Sequence, residues 1–327
     1  MNSVFGKHFM DKILIYILTL VVILTVFGFL GKSWWVFDLM SHFRVQYFAA
    51  LSFLGIFFIK ERKWRKTFLA FAFALVNFSL VLPYGGMVNI VAQADQSEIK
   101  ILSMNLDYKN ASYKAARSVI DTTNPSVLVL QELSADWDAQ LEDIFSKFPH
   151  SIKRPYNSFY RFPEFIKKRK LSLGIFSHLP FEVITVEEFS DNPIPYIGVR
   201  LKFKEKQFSV FGVHLTSPMG KVRTEARNKQ LGSLVYEIQK NNQPTIIVGD
   251  FNITPWSPYF KDFIQRSELL DTRKGLGVYP TWPKQIFPLM IPIDHGLVSS
   301  DIKLHSFNRG PNFGSDHLPL ILNFSIS

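Results

Sequence analysis

Asp250 and Asn252 flank Phe251 at the end of the apolar run Thr245-Ile246-Ile247-Val248. A β-strand turns alternate side chains to opposite faces. The carboxylate and the carboxamide therefore lean to the same side where that strand ends, a common place for a site in α/β proteins. The arrangement recurs. Asn105 closes the run Ile99 to Met104, Glu132 follows Val127 to Leu130, and His214 follows Phe208 to Val213. Asp294 follows a Pro-rich stretch, and Asp316 and His317 precede the last apolar run, Leu320 to Ile326. Taken singly, each is an ordinary strand-end turn or cap, and Glu132 an ordinary surface glutamate. Together they can do one kind of chemistry well, which is attack of water on a phosphate ester.

That reaction needs charge neutralisation on the non-bridging oxygens, an aligned water and help for the leaving group. Glu132, Asn105 and Asp316 offer hard oxygen ligands suited to Mg²⁺ or Mn²⁺ and not to zinc. Asp250 can orient or deprotonate the water. Asn252 and His214 can donate hydrogen bonds to phosphoryl oxygens. Asp294 can hold His317 charged or correctly oriented. The chain contains no cysteine, which excludes a thiolate nucleophile, a disulfide framework and Cys-ligated metal centres.

The motifs Ser103-Met104-Asn105-Leu106, Leu130-Gln131-Glu132, Val213-His214-Leu215, Gly249-Asp250-Phe251-Asn252, Ile293-Asp294-His295 and Ser315-Asp316-His317-Leu318-Pro319 stand in this order. In residues and order they resemble the endonuclease/exonuclease/phosphatase (DNase I-like) family, over roughly Glu98 to Ser327. The resemblance implies a four-layer α/β sandwich of two β-sheets flanked by helices, with the site in the loops above them. It implies Glu132 as principal metal ligand with Asn105 and Asp316 beside it, and Asp250 and Asn252 as the water- and phosphate-handling pair. It also implies His214 and His317 as phosphate-facing histidines, with Asp294 as the partner of His317. Thr254-Pro255-Trp256-Ser257-Pro258, Arg227-x-x-Gln230 and Tyr279-Pro280-Thr281-Trp282-Pro283 look like the membrane-anchored bacterial branch of that family. Ser177-His178-Leu179-Pro180 departs from it, with His where a basic Arg or Lys is usual.

The elements that must position these groups begin after a very different segment. The chain is 327 residues long, 47% hydrophobic, with 32 Phe, and the apolar residues concentrate at the N-terminus. Residues 13–30 and 67–84 are long enough to span a bilayer, and residues 45–59 form a shorter run whose ends, Arg44 and Lys60, can snorkel. Lys60, Arg62, Lys63, Arg65 and Lys66 form a basic loop, and Lys7 and Lys12 precede the first run. Basic loops stay cytoplasmic. Three spans satisfy that rule and leave the C-terminal domain outside, in what reads as a bacterial inner-membrane protein. The expected division is a membrane anchor with linker over residues 1–96 and a catalytic domain over 97–327.

Of the net charge of +10, half belongs to the residues after Gln96, which carry 28 basic and 23 acidic side chains. This mild excess suits an anionic substrate or surface without demanding nucleic acid. Arg161 to Lys170 is a basic and aromatic insertion that could meet a nucleic-acid backbone, anionic head groups or only water. Substrate choice lies in such loops. A lipid-borne phosphodiester, a nucleic acid and a small phosphoester all stay open, as does a catalytically dead scaffold. The oligomeric state is unread.

Overall fold

The computed structural model describes residues 2–86, 98–162, 165–189 and 192–326. The linker expected up to Gln96 falls largely outside them, and so do the side chains of residues 158–169, on which the reading of the basic insertion rests. Two compact units divide the chain. One comprises Met1–Gly85 with Thr254–Lys261, the other Gly86–Ile253 with Asp262–Ser327.

The first unit is helical: α1 (Asn2–Phe27), α2 (Trp35–Met40), α3 (Arg44–Lys60) and α4 (Trp64–Val81). Three stretches, Phe9–Leu30, Trp35–Lys60 and Trp64–Tyr84, are long and apolar enough to cross a membrane. Leu18, Leu51, Leu54, Phe58, Ala70 and Ala74 pack inside, while Phe53, Phe68 and Leu75 stay exposed. Apolar residues on the outer face are what a bilayer solvates. Arg44 does not snorkel. It is buried and donates to Thr25 O (2.9 Å) and Asn77 Oδ1 (3.3 Å), while Asn77 Nδ2 donates to Thr25 Oγ1 (3.0 Å). In an apolar environment a cation turns to whatever protein acceptors it can reach, and α1 and α4 supply them.

Thr254–Lys261 packs into this unit although the sequence reading gives it to the catalytic domain. Ser257 Oγ donates to the buried carboxylate of Asp38 (2.6 Å), Thr254 Oγ1 meets His42 Nδ1 (2.8 Å), and Trp256 Nε1 donates to Leu80 O (3.1 Å).

The second unit consists of two mixed six-stranded sheets with helices. β1 (Ile99–Asn105), β2 (Val127–Leu133), β3 (His150–Phe162), β4 (Phe165–Ser177), β11 (Ile302–Arg309) and β12 (Leu320–Ile326) form the first, in the order β11-β12-β1-β2-β4-β3. β5 (Phe181–Phe189), β6 (Asn192–Phe203), β7 (Lys206–His214), β8 (Thr245–Asp250), β9 (Leu270–Asp271) and β10 (Asp294–Val298) form the second, in the order β5-β6-β7-β8-β10-β9. The central strands are continuous Val/Ile/Leu runs buried on both faces, as expected where a sheet is covered on both sides. One face of each meets the other in a core that includes Ile101, Val129, Ile175, Val199, Val210, Ile246 and Leu322. α5 (Tyr113–Thr123), α6 (Ala135–Gln140) and α7 (Glu142–Phe145) cover the first sheet through Val119, Ile120, Trp137 and Ile144. α8 (Lys221–Lys240) and α9 (Pro258–Ser267) complete the helices after β7 and β8.

Pairing brings the site residues to one end. β1 and β2 run parallel with Asn105 opposite Gln131, next to Glu132. β12 runs antiparallel to β1 with Leu320 opposite Ser103, so Asp316 and His317 lie just before it at the same end. In the second sheet His214 pairs with Asp250, and Asp250 with Asp294.

Candidate active site

Asp250 is the hub. Its Oδ1 accepts from Asn252 N (2.8 Å) and its Oδ2 from Asn105 Nδ2 (3.1 Å) and Asn252 Nδ2 (3.2 Å). His214 Nε2 and His317 Nε2 each stand 3.7 Å from that same oxygen. The carboxylate is buried, and burial raises its pKa to about 8 against the opposing pull of the His317 charge. Gly249 precedes it at φ +144°, where any Cβ would collide with Val213 O. Only glycine lets β8 end this close to β7.

Asn252 sits in the left-handed region at φ +51°, with its backbone carbonyl accepting from buried Arg227 (3.3 Å). Its second amide hydrogen goes to Leu215 O (2.8 Å). Both amide hydrogens are thereby engaged, and in this geometry Asn252 orients Asp250 instead of presenting a donor to a phosphoryl oxygen. The next carbonyl, that of Ile253, is 2.7 Å from His295 Nε2, and the far side of that ring is held by Arg273, itself paired with buried Asp271.

His317 Nδ1 donates to Asp294 Oδ2 (2.8 Å). Burial opposes its charge, but Asp294 and Asp250 outweigh burial and carry its pKa to about 10. It is an imidazolium at neutral pH. His214 behaves oppositely. Burial, reinforced by the His317 charge, pushes its pKa down to about 3. Tyr156 Oη lies 2.9 Å from its Nδ1. With that hydroxyl donating, the ring hydrogen sits on Nε2, toward Glu132 (3.8 Å) and Asp250. Two histidines in one site thus take two roles, one charged and one neutral.

Glu132 lies where the β2–β4 pairing is interrupted between Leu130 and Leu133, at φ +56°. A left-handed glutamate at a bulge is strained backbone of the kind that collects at functional sites. Burial raises its pKa to about 7, against the hydrogen bond that its Oε2 accepts from Tyr108 N (3.2 Å). Asp316 accepts from Trp282 Nε1 (2.9 Å) and interacts electrostatically with Glu132 and Asp107.

The donor set fits a hard divalent cation. Glu132, Asp316 and the free lone pair of Asn105 Oδ1 are all oxygen donors, and carboxylates crowd here with one imidazolium against them. A cation would supply the charge that buried Glu132 lacks. Asp250, Asp294 and His317 also stand close enough together to hold an ion.

All eight residues singled out in the sequence gather at this end of the sheets. Five more were not foreseen in these roles. Asp107, buried enough for its carboxyl pKa to rise, lies two residues beyond Asn105, and the same alternation that paired Asp250 with Asn252 could have flagged it. Arg227 and Trp282 stood in noted motifs without a role. His295 likewise stood in the motif Ile293-Asp294-His295 without a role, and Tyr156 carries no local signal, because its partner His214 lies far away in the chain.

A sequence model of the Endonuclease/Exonuclease/phosphatase family matches residues 102–317. The chain belongs to that family. Membership makes it a hydrolase of phosphate ester bonds that works with a divalent metal. Solved structures share the fold. An endonuclease/exonuclease/phosphatase from Beutenbergia cavernae aligns with TM-score 0.58 at 18% identity over 71% of this chain and 72% of its own. The human Nocturnin catalytic domain aligns at 0.53 and 20% over 71% and 96%. D. rerio TDP2, solved with a single-strand DNA product, aligns at 0.53 and 16% over 70% and 100%. A membrane protein insertase YidC from Chlamydia caviae is 30% identical over 132 residues, 35% of this chain. The chain spans only 16% of that curated relative's length.

Proposed function

We propose that this protein is a membrane-anchored, Mg²⁺-dependent phosphoesterase whose substrate is presented at a bilayer surface outside the cytoplasm. The observation that carries the chemistry is Asp250 Oδ2, held by Asn105 and Asn252 and faced by both histidines. A carboxylate so oriented, with its pKa raised toward neutrality, is matched to accept a proton from water. His317, kept charged by Asp294, donates to the phosphoryl or leaving-group oxygen. Neutral His214 donates through Nε2 without adding charge, and Asn252 keeps Asp250 aligned. Glu132, Asp316 and Asn105 would hold the metal. When bound, it supplies charge neutralisation at the phosphoryl oxygens.

Three apolar helices support membrane association. Confinement near a bilayer raises the effective concentration of lipid-borne groups and does little for diffusing polymers. The modest charge excess after Gln96 also favours a lipid surface over duplex DNA, whose binding draws on many phosphate contacts. A tethered nuclease is the second reading, favoured by the DNA product bound to D. rerio TDP2. The test is a turnover panel with the full-length protein. It pairs a soluble phosphodiester, a phosphomonoester, DNA, RNA and lipid phosphodiesters in vesicles, each with and without Mg²⁺. Preference for DNA over vesicle lipid at physiological salt would replace the first reading with the second.

A further inference from the structure

Two loops at the site end of the second sheet expose apolar side chains. Residues 215–222 lead from β7 at His214 into the first turn of α8, and Met219 and Val222 there are 74% and 76% exposed. Residues 282–293 lead into β10 at Asp294, and Phe287 there is 80% exposed, with Ile286 and Leu289 beside it. The described residues of the second unit leave eight large apolar side chains exposed, and five of the eight are in these two segments, four on the loops and Val222 in the first turn of α8. Scattered single exposures need no explanation, but a concentration at one place does.

The loops are rooted in the site. β8 alone separates β7 from β10, so the roots lie about 10 Å apart. Leu215 donates through its N–H to Asp250 O and accepts from Asn252. In the other loop Trp282 and the Lys284 N–H both bond Asp316. The apolar tips are thus a few residues from groups that would hold a phosphoryl oxygen or a metal. Lys221 and Lys284 adjoin them and suit an anionic head group.

We propose that Met219, Val222, Ile286, Phe287 and Leu289 form an interfacial rim that seats in the acyl region of a bilayer, so that the phosphoester cleaved is the head-group linkage of an amphiphilic lipid. The choice of substrate class rests on the phosphoesterase reading above, whereas insertion of the rim does not. Four of the five side chains are aliphatic and give no stacking surface to a nucleic-acid base. Apolar tips with lysines beside them are the pattern of interfacial attachment. The same chain carries three helices long enough to span a membrane.

The absence of cysteine lets one residue carry a unique label. Full-length Phe287→Cys and Met219→Cys, each bearing an environment-sensitive fluorophore, are placed in vesicles of mixed anionic and zwitterionic lipid. Tyr236→Cys, at an exposed position of α8, is the reference. The labels at 287 and 219 should shift to the blue and be quenched by lipids brominated in their acyl chains, and that at 236 should not. Labels that stay wet overturn the rim whatever the enzyme cleaves. In parallel, Phe287→Ser with Met219→Ser should lower kcat/KM for a vesicle phosphodiester at least tenfold relative to bis(p-nitrophenyl) phosphate. An equal change on both substrates, or a larger loss on single-stranded DNA, overturns the lipid assignment even where the labels insert.

Discussion

Asn105 at the end of β1 donates to Asp250 at the end of β8 (3.1 Å), so one hydrogen bond ties the first sheet to the second across 145 positions of sequence. The same carboxamide accepts from Asp107 N (3.1 Å), which fixes which way it points. Asp250 therefore reads the relative placement of the two sheets directly.

Asn105→Ala should lower kcat about 10²-fold, the scale of losing an electrostatic contact in a site, with KM changed much less. Asp250→Asn should cost at least as much, because a carboxamide cannot take the water's proton. Both variants should still fold, judged by an unchanged circular dichroism spectrum, although Asn105→Ala should lower the unfolding midpoint because it leaves a buried partner unsatisfied. Near wild-type turnover by Asp250→Asn would remove Asp250 from water handling.

Chelation should abolish turnover, and Mg²⁺ or Mn²⁺ should restore it. Burial raises Glu132 to about 7 without a cation, so protons and metal compete for it. Apparent Mn²⁺ affinity should weaken as pH falls below about 7, measured by the electron paramagnetic resonance signal of free Mn²⁺. Affinity flat from pH 8 to pH 6 would exclude Glu132 as a ligand.

Much of this site was legible because its residues end buried strands. Strand ends leave a period-two trace, and short motifs in a fixed order restrict the family. β3, β6, β9, β10 and β11 leave no such clear trace. β3 carries Lys153, Arg154 and Pro155, and β11 mixes Lys303, His305 and Arg309 with its apolar residues, which blurs alternation. Residues 254–261 follow the catalytic motif without a break, and nothing local shows that Ser257 finds Asp38, 219 positions away. Such contacts are a property of packing alone.

The Asp38–Ser257 bond should be measurable in stability. Both side chains are fully buried, and leaving one partner of a buried hydrogen bond unsatisfied costs about 1–3 kcal/mol. Ser257→Ala in the full-length protein in detergent should lower the unfolding midpoint, and Asp38→Asn, which keeps an acceptor, should lower it less. Equal midpoints for wild type and Ser257→Ala would mean that the segment is held without this bond.

The charge on His317 has a defined pH signature. With its pKa carried to about 10 chiefly against burial by Asp294 and Asp250, the imidazolium persists well above neutrality. Its ionisation adds stability that is full below about 6.5, its ordinary value, and is lost as pH rises through about 10. Asp294→Asn removes one of the two charges that hold it. The alkaline limb of the kcat profile should move down by a unit or more, about 1.4 kcal/mol of lost interaction. An unmoved limb would assign that ionisation to another group.

Topology is the last expectation. Lys63, in the loop between α3 and α4, pairs with Asp11 of α1 (2.7 Å). That contact brings the basic loop, with Lys60, Arg62, Arg65 and Lys66, to the end of the bundle where Lys7 and Lys12 precede the first apolar run. Both basic segments thus share one side, and basic segments stay cytoplasmic. On that topology α4 would leave the cytoplasmic side at Trp64 and reach the opposite side near Tyr84, a stretch long and apolar enough to cross. A reporter active only outside the cytoplasm, fused after Ser327, should give signal. One fused between Arg62 and Lys63 should give none. The reverse pattern would put the catalytic residues in the cytoplasm and with them the substrate. Replacing Lys60, Arg62, Lys63, Arg65 and Lys66 with Gln should weaken the bias, and a fusion protein of mixed orientation would trace the topology to those five charges.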